Sequence, residues 1–205
     1  MKNNLYKIVM ILFATFTMAS CDLDLQKNYD YKGSVLDPHI DMTAMEFFES
    51  RPDLFSELVE AINYTGMNEY YTQTKEMCTY LALDNTAMQE FRENEFPGIQ
   101  KITECNRDIV KNMLLYHIIE GEYSSYGELQ VEAKFVLTKL EGEKGLMTMS
   151  VWKNPWQAAV GKIIINATGS NGKAPQRQAR TSNIMPRNGV IHIFERYCYY
   201  QRYNN

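Results

Sequence analysis

Asn188-Gly189-Val190-Ile191-His192-Ile193-Phe194, near the C-terminal end, decides how this chain is read. Asn-Gly is the strongest two-residue turn signal, because both residues accept positive φ at little cost. Apolar and polar residues then alternate and lead into an aromatic run, Tyr197-Cys198-Tyr199-Tyr200. The stretch predicts a hairpin turn feeding a final strand, Val190 to Tyr200, buried on at least one face. A histidine inside such a strand is not generic, and the chain has only three. His117 lies in a second apolar segment, Leu115-Tyr116-His117-Ile118-Ile119, and His39 lies near the N-terminal end.

Upstream of that strand the pattern is helical first and extended later. Thr43 with Glu46 fits a capping box and opens a helix through Phe47 and Phe48. Arg51-Pro52 breaks it, and Asp53 starts a second helix with Phe55, Leu58, Val59 and Ile62 on one face. Tyr70 to Lys75 reads as a polar turn. Met77 to Leu83 reads as a buried strand, followed by a cluster of cap residues, Asp84-Asn85-Thr86, and a short helix for which Thr86 and Gln89 form a second capping box. Asn106 caps a third amphipathic helix, whose apolar pattern continues through Leu115 to Ile119 and stops at Gly121.

After Gly127 four strands are predicted: Lys134–Leu140, Leu146–Trp152, Lys162–Ala167 and Val190–Tyr200. Asn171 to Asn183 is polar and reads as an exposed loop. Helices preceding strands argue for an α+β fold, with a helical N-terminal half and a strand-rich C-terminal half.

The first residues are a targeting signal. Lys2 and Lys7 precede an apolar run from Ile8 to Phe16, then Ala19-Ser20 and Cys21. The run is too short to span a bilayer, which indicates a secretory signal peptide over residues 1–20. Met18-Ala19-Ser20-Cys21 resembles a bacterial lipobox, which would make Cys21 the lipidated mature N-terminus. Residues 21–42 are then the lipidated cysteine with its tether, and 43–205 the domain. The tether's acidic residues resemble surface-export signals. The chain is expected in the cell envelope, anchored to the outer membrane by lipid and exposed at the surface. With Cys21 lipidated, Cys78, Cys105 and Cys198 remain, an odd count that allows at most one disulfide. Buried unpaired thiols are the favoured reading, with a Cys78–Cys198 bridge as the alternative.

Charge is divided along the chain. From Val151 onward eight Lys/Arg stand against one acid, Glu195, whereas Asp22 to Ser150 holds 11 bases and 24 acids. Such a split either marks a surface for an anionic partner or neutralises itself when the halves pack.

Several chemistries leave no trace. There is no Gly-x-Ser-x-Gly, His-Glu-x-x-His or Cys-x-x-Cys motif. Gly169-Ser170-Asn171-Gly172-Lys173 has the wrong spacing for a phosphate loop and Ala174 in place of Ser/Thr, so a hairpin turn is expected. No enzyme activity, cofactor, metal or nucleic-acid partner is predicted. The loop Trp152-Lys153-Asn154-Pro155-Trp156-Gln157 is the exception with a positive signal. Exposed Trp rings stack on sugar C–H faces and amides pair with hydroxyls, so Trp152, Asn154, Trp156 and Gln157 are candidate ligand-binding residues. The alternative is that both Trp plug the edge of the domain.

Three segments taken in order give a resemblance: Thr79 to Met88, Leu115 to Tyr123, and Asn183 to Ile193. Together they resemble a fasciclin domain from about Thr43 to Tyr200. The departures are Leu81-Ala82-Leu83-Asp84-Asn85, which lacks the family's proline, and Glu120, where proline is common. The N-terminal helices are similar to those of diverged fasciclin-like lipoproteins of gut Bacteroidetes. The resemblance implies a β-sandwich with helices packed around it, acting as a non-enzymatic adhesion or recognition module. It implies motif positions at Tyr116, His117, Asn188, Gly189 and His192. In animal members the Tyr-His segment is linked to receptor binding, which would carry over to Tyr116 and His117. The competing reading is structural, with ring nitrogens paired to backbone. The implied partners are a membrane, through the lipid, and a protein or glycan at the cell surface. The alternative function is an accessory glycan-binding protein of an outer-membrane importer.

Overall fold

The apolar run of the first predicted strand is explained by its position. β1 (Cys78–Leu83) is an interior strand with a neighbour on each side, and it is buried at every residue, so both faces of the sheet are covered there. β2 (Ile118–Glu120) pairs with it antiparallel, and β8 (Gly189–Phe194) pairs with it parallel, Cys78 opposite Gly189 through Leu83 opposite Phe194. Parallel neighbours need a long crossover. Here the chain from Asp84 to Asn188, which carries α4, α5 and the whole second sheet, lies between them in sequence. β7 (Thr181–Ile184) completes the sheet, in the order β2-β1-β8-β7.

The second sheet is antiparallel, in the order β3 (Lys134–Leu137), β4 (Leu146–Trp152), β5 (Lys162–Ile165) and β6 (Arg177–Gln178). Met147, Met149 and Val151 alternate along β4 into the core, with Val136 and Ile163. The sheets meet at a seam, where Ile119 bridges Thr138 and the Lys139 N–H donates to the Ile118 carbonyl at 2.8 Å. This computed structural model describes residues 37–127, 129–153 and 161–203. Pro38–Asn205 forms one compact unit.

Helices cover the first sheet. α1 (Ala44–Ser50) opens with the expected capping box: the Thr43 side chain accepts from the Glu46 N–H while the Glu46 carboxylate accepts from the Thr43 N–H. Arg51 takes an extended φ of −127°, as a residue before proline must, and Pro52 becomes the first residue of α2 (Pro52–Thr65). α2 buries Phe55, Leu58, Ala61 and Ile62. α3 (Asn68–Thr72) follows, then α4 (Asn85–Glu95) and α5 (Arg107–Tyr116), the last capped by the Asn106 side chain. Side chains of α1, α2, α4, α5 and both sheets form a single apolar core.

Several expectations change. The turn before β8 is centred on Arg187 and Asn188, since the Gly189 N–H donates to the Pro186 carbonyl at 3.3 Å. Neither Arg187 nor Asn188 has positive φ, so Asn-Gly does not form the mirror-image turn it suggested. Gly189 is the first residue of β8 instead, with φ 145°, and a Cβ there would lie 1.7 Å from the Cys78 carbonyl oxygen. Its lack of a side chain lets β1 and β8 come together.

The last strand stops at Phe194 rather than Tyr200, β3 stops at Leu137, and β5 stops at Ile165 because Asn166 turns the chain with φ 47°. The stretch from Asn171 to Asn183 is not all loop, since it contains β6 and most of β7. Tyr70 to Lys75 is not all turn, because α3 runs to Thr72. Thr86 does not cap α4. The Asp84 Oδ1 accepts from the Ala87 N–H at 2.9 Å, and Gln89 bonds Glu93 instead. The helical pattern at Leu115 breaks at His117, beyond which the chain enters β2. Because β1 lies between helices and pairs with the C-terminal strand, the helical and strand-rich halves interleave.

Candidate functional site

The motif histidines occupy two buried nodes that join distant backbone. His117 sits at the C-terminal end of α5, and its Nε2 accepts the Cys198 N–H at 3.1 Å. Nδ1 therefore carries the proton and donates to the Met113 carbonyl at 2.8 Å. His192, fully buried in β8, uses the opposite arrangement. Its Nδ1 accepts the Asn183 N–H at 3.2 Å, so Nε2 donates to the Tyr123 carbonyl at 2.8 Å. Burial pushes both imidazoles down to about 4, against a smaller upward pull from the carbonyl each one bonds. Each ring is neutral at physiological pH, and both nitrogens are spent on backbone.

Asn188 is equally enclosed. Its Oδ1 accepts the Ala44 N–H at 2.9 Å, one of the free donors at the start of α1. Its Nδ2 donates to the Tyr71 carbonyl and to the Tyr80 hydroxyl, each at 2.9 Å. One amide thus ties α1, α3 and β1 to the turn that precedes β8. Tyr116 sends its hydroxyl to the Leu146 carbonyl at 2.9 Å and accepts from Asn166 Nδ2 at 3.1 Å. Asn166 Oδ1 accepts from the Thr148 N–H and from Asn171 Nδ2. α5 is pinned to the second sheet through this chain of amides. None of these side chains presents a polar atom to a ligand: Tyr116, Asn188 and His192 are fully buried and His117 nearly so.

Sequence reasoning passed over Asn166, Asn171 and Asn183. All three are buried and hydrogen-bonded, Asn166 at the end of a predicted strand and Asn171 and Asn183 in a stretch that looks like polar loop. Asn166 and Asn183 are the two non-glycine residues with positive φ among those described, and Asn tolerates that conformation. Asn183, at φ 63°, sits at the bulge in β7 and bonds Ser125 through its Oδ1 and Nδ2. For Asn166, an isolated Asn just after the apolar run of β5 was the available signal.

The charge split resolves by contact. Arg187 meets Glu46 at 2.9 Å, Arg196 meets Glu90 at 2.6 Å, and Arg202 approaches Glu95 at 3.6 Å. Arg180 lies 3.9 Å from Asp84 and 2.7 Å from Glu195. Basic residues of the C-terminal part thereby face acids of the preceding part. Lys153, Lys162, Lys173 and Arg177 make no carboxylate pair among the described residues.

The thiols of Cys78, Cys105 and Cys198 are unpaired and buried, and the Cys78–Cys198 bridge is absent. Burial pushes the Cys198 thiol up to about 11, and raises Cys78 and Cys105 as well. Among the described residues, no group of three or more His, Cys, Asp or Glu could hold a metal ion. Trp152 is the last residue of β4, whose bounds are those expected, and it is 51% exposed. Asn154, Trp156 and Gln157, like Cys21, lie outside the described residues.

The fasciclin domain family matches residues 53–198. Among solved structures, the FAS1 domain pair of the insect cell adhesion molecule Fasciclin I resembles the chain with a TM-score of 0.55 at 15% identity. The likeness covers 76% of this chain and 50% of that one, so the chain spans half of the structure it resembles. A comparison with curated proteins gives no match. The family match takes in β1, both histidine nodes and Asn188, and on that span the chain belongs to the fasciclin domain family.

Proposed function

We propose that this chain is a cell-envelope lipoprotein whose fasciclin domain is a non-enzymatic adhesion or recognition module. Cys21 carries the lipid after removal of residues 1–20, residues 21–42 tether the domain, and residues 43–205 form it. We read the two four-stranded sheets as the layers of a β-sandwich. The lipid holds the domain at the outer membrane, facing outward, where it meets a protein or glycan. The observation that carries this reading is the family membership over residues 53–198. The burial of Tyr116, His117, Asn188 and His192 supports it, because it leaves recognition to the outer surface of a rigid scaffold.

The anchoring is tested by growing cells that express the chain with labelled palmitate and then fractionating them. Wild-type protein takes the label into the membrane fraction, and Cys21→Ser stays unlabelled. A labelled Cys21→Ser protein would overturn the assignment.

A second reading, an accessory glycan-binding protein of an outer-membrane importer, is favoured by the exposed Trp152. Its site would be Trp152, Asn154, Trp156 and Gln157. Glycan-array binding that survives Trp152→Ala would remove it.

A further inference from the structure

The last described residues line two pockets that share a wall. One, about 500 Å³, is formed by Lys173, Tyr199, Tyr200, Gln201 and Arg202. The other, about 230 Å³, takes Gln201 and Arg202 on one side and Asn112, Glu141 and Lys144 among its other residues. The first volume lies within the range of small-ligand sites. The two share Gln201 and Arg202, and the larger is the candidate groove.

The groove is held by anchored backbone. Tyr197, just before it, sends its hydroxyl to Glu95 at 2.9 Å, and the Cys198 N–H is bound by His117. Tyr203, which also lines the smaller pocket, donates to the Cys198 carbonyl at 3.1 Å. The opposite lip is the loop between β5 and β6, fixed by buried Asn171, whose Nδ2 donates to the Leu146 carbonyl at 2.8 Å. A Cβ at Gly172 would already be 3.7 Å from the Tyr200 ring, so the loop carrying Lys173 closes against that ring. Arg202 lies over the Tyr199 ring, 5.5 Å from its centroid, with Glu95 3.6 Å from one guanidinium nitrogen.

The chemistry left open is specific. The Tyr199 and Tyr200 hydroxyls have no hydrogen-bond partner among the described residues, and the Lys173 ammonium has no carboxylate. Aromatic rings suit the C–H faces of sugars, the free hydroxyls and the Gln201 amide suit sugar hydroxyls, and Lys173 suits an anionic substituent. A neutral sugar would leave Lys173 unused, whereas Arg202 is already paired with Glu95. An acidic peptide would leave the ring faces unused.

We propose that this groove binds an anionic oligosaccharide, carboxylated or sulfated, with its charge on Lys173 and its sugar faces on Tyr199 and Tyr200. The proposal rests on the reading of the domain as a surface recognition module and assigns it a ligand class away from Trp152.

The test is calorimetric titration of the full chain with tetragalacturonate, a sulfated galactan tetramer, and cellotetraose as the neutral control. The expected result is binding of at least one anionic tetramer, weakened by added salt, with cellotetraose at least about tenfold weaker. The carboxylated and sulfated arms show which anion is preferred. Lys173→Gln should weaken binding by about tenfold or more at unchanged Tm, and Tyr200→Ala should weaken it as much with some loss of Tm because its ring also packs on the core, whereas Trp152→Ala should have no effect. Silence with both anionic tetramers overturns the proposal, as does equal affinity for cellotetraose or indifference to Lys173→Gln. Polyglutamate binding as tightly as the sugars overturns the ligand class. Loss of this binding alongside intact palmitate labelling defeats the groove while leaving the anchored-module reading in place.

Discussion

His117 Nε2 accepts the backbone N–H of Cys198 at 3.1 Å, across 81 residues of sequence. This bond fastens the segment after β8 to the end of α5, and it requires a neutral ring. His192 makes the complementary connection through the opposite tautomer, to Asn183 and Tyr123. The fold thus uses its two buried histidines as cross-braces, each accepting at one nitrogen and donating at the other.

Replacing His117 by Ala strands the Met113 carbonyl and the Cys198 N–H in the interior. Stranded buried groups cost about 1–3 kcal/mol each, so a loss of about 3 kcal/mol or more is expected. Urea denaturation measures it, and an unchanged midpoint would refute the brace.

Acid should weaken the protein through the same rings. Unfolded histidine takes up a proton near pH 6.5, whereas both folded rings resist protonation down to about pH 4. Their stabilisation is complete above pH 6.5 and is lost as pH falls toward 4, by about 2 kcal/mol per ring between pH 7 and 5. Asp84, raised by burial, contributes with the opposite sign. The pH dependence of the urea midpoint in the wild type should therefore shrink in His192→Gln, and an identical profile in both proteins would contradict this.

Gly189→Ala should be far more damaging than Gly98→Ala. The new Cβ meets the Cys78 carbonyl oxygen at 1.7 Å in the first case, and nothing within 4 Å in the second, where only a φ of 91° is strained. The expected costs are more than about 3 kcal/mol and about 1 kcal/mol respectively. Comparable Tm losses in the two variants would show that β1 and β8 can move apart.

The thiols should be silent until the protein unfolds. With Cys21 lipidated, a thiol reagent should find no fast-reacting group in the native protein and three after denaturation, at Cys78, Cys105 and Cys198. A single thiol after denaturation would reveal a disulfide.

Local chemistry was the legible part of the sequence. The Thr43–Glu46 box, the Asn106 cap and the apolar Cys78–Leu83 strand depend on neighbours in sequence, and the structure has all three. What escaped depends on distant partners. β6 and β7 are polar, and they become strands because β5 and β8 offer them an edge. Asn188 looked like a turn residue, yet its amide is held by Ala44, Tyr71 and Tyr80, each more than 100 positions away in sequence. Thr86 was a plausible cap by spacing, but the Asp84 carboxylate lies where it can accept the Ala87 N–H. The motif histidines were legible as markers of the fold, and their burial explains why they say little about the ligand. The Tyr199–Arg202 groove is invisible in sequence, because it needs the Lys173 loop to fold against it.

The most direct test is imidazole nitrogen NMR of the intact protein as pH is lowered. The account predicts His117 protonated at Nδ1 and His192 at Nε2, both unchanged from pH 7.5 to about 5. A ring that titrates near 6.5, or two rings with the same tautomer, would contradict the claim that these histidines are neutral braces buried within the fold.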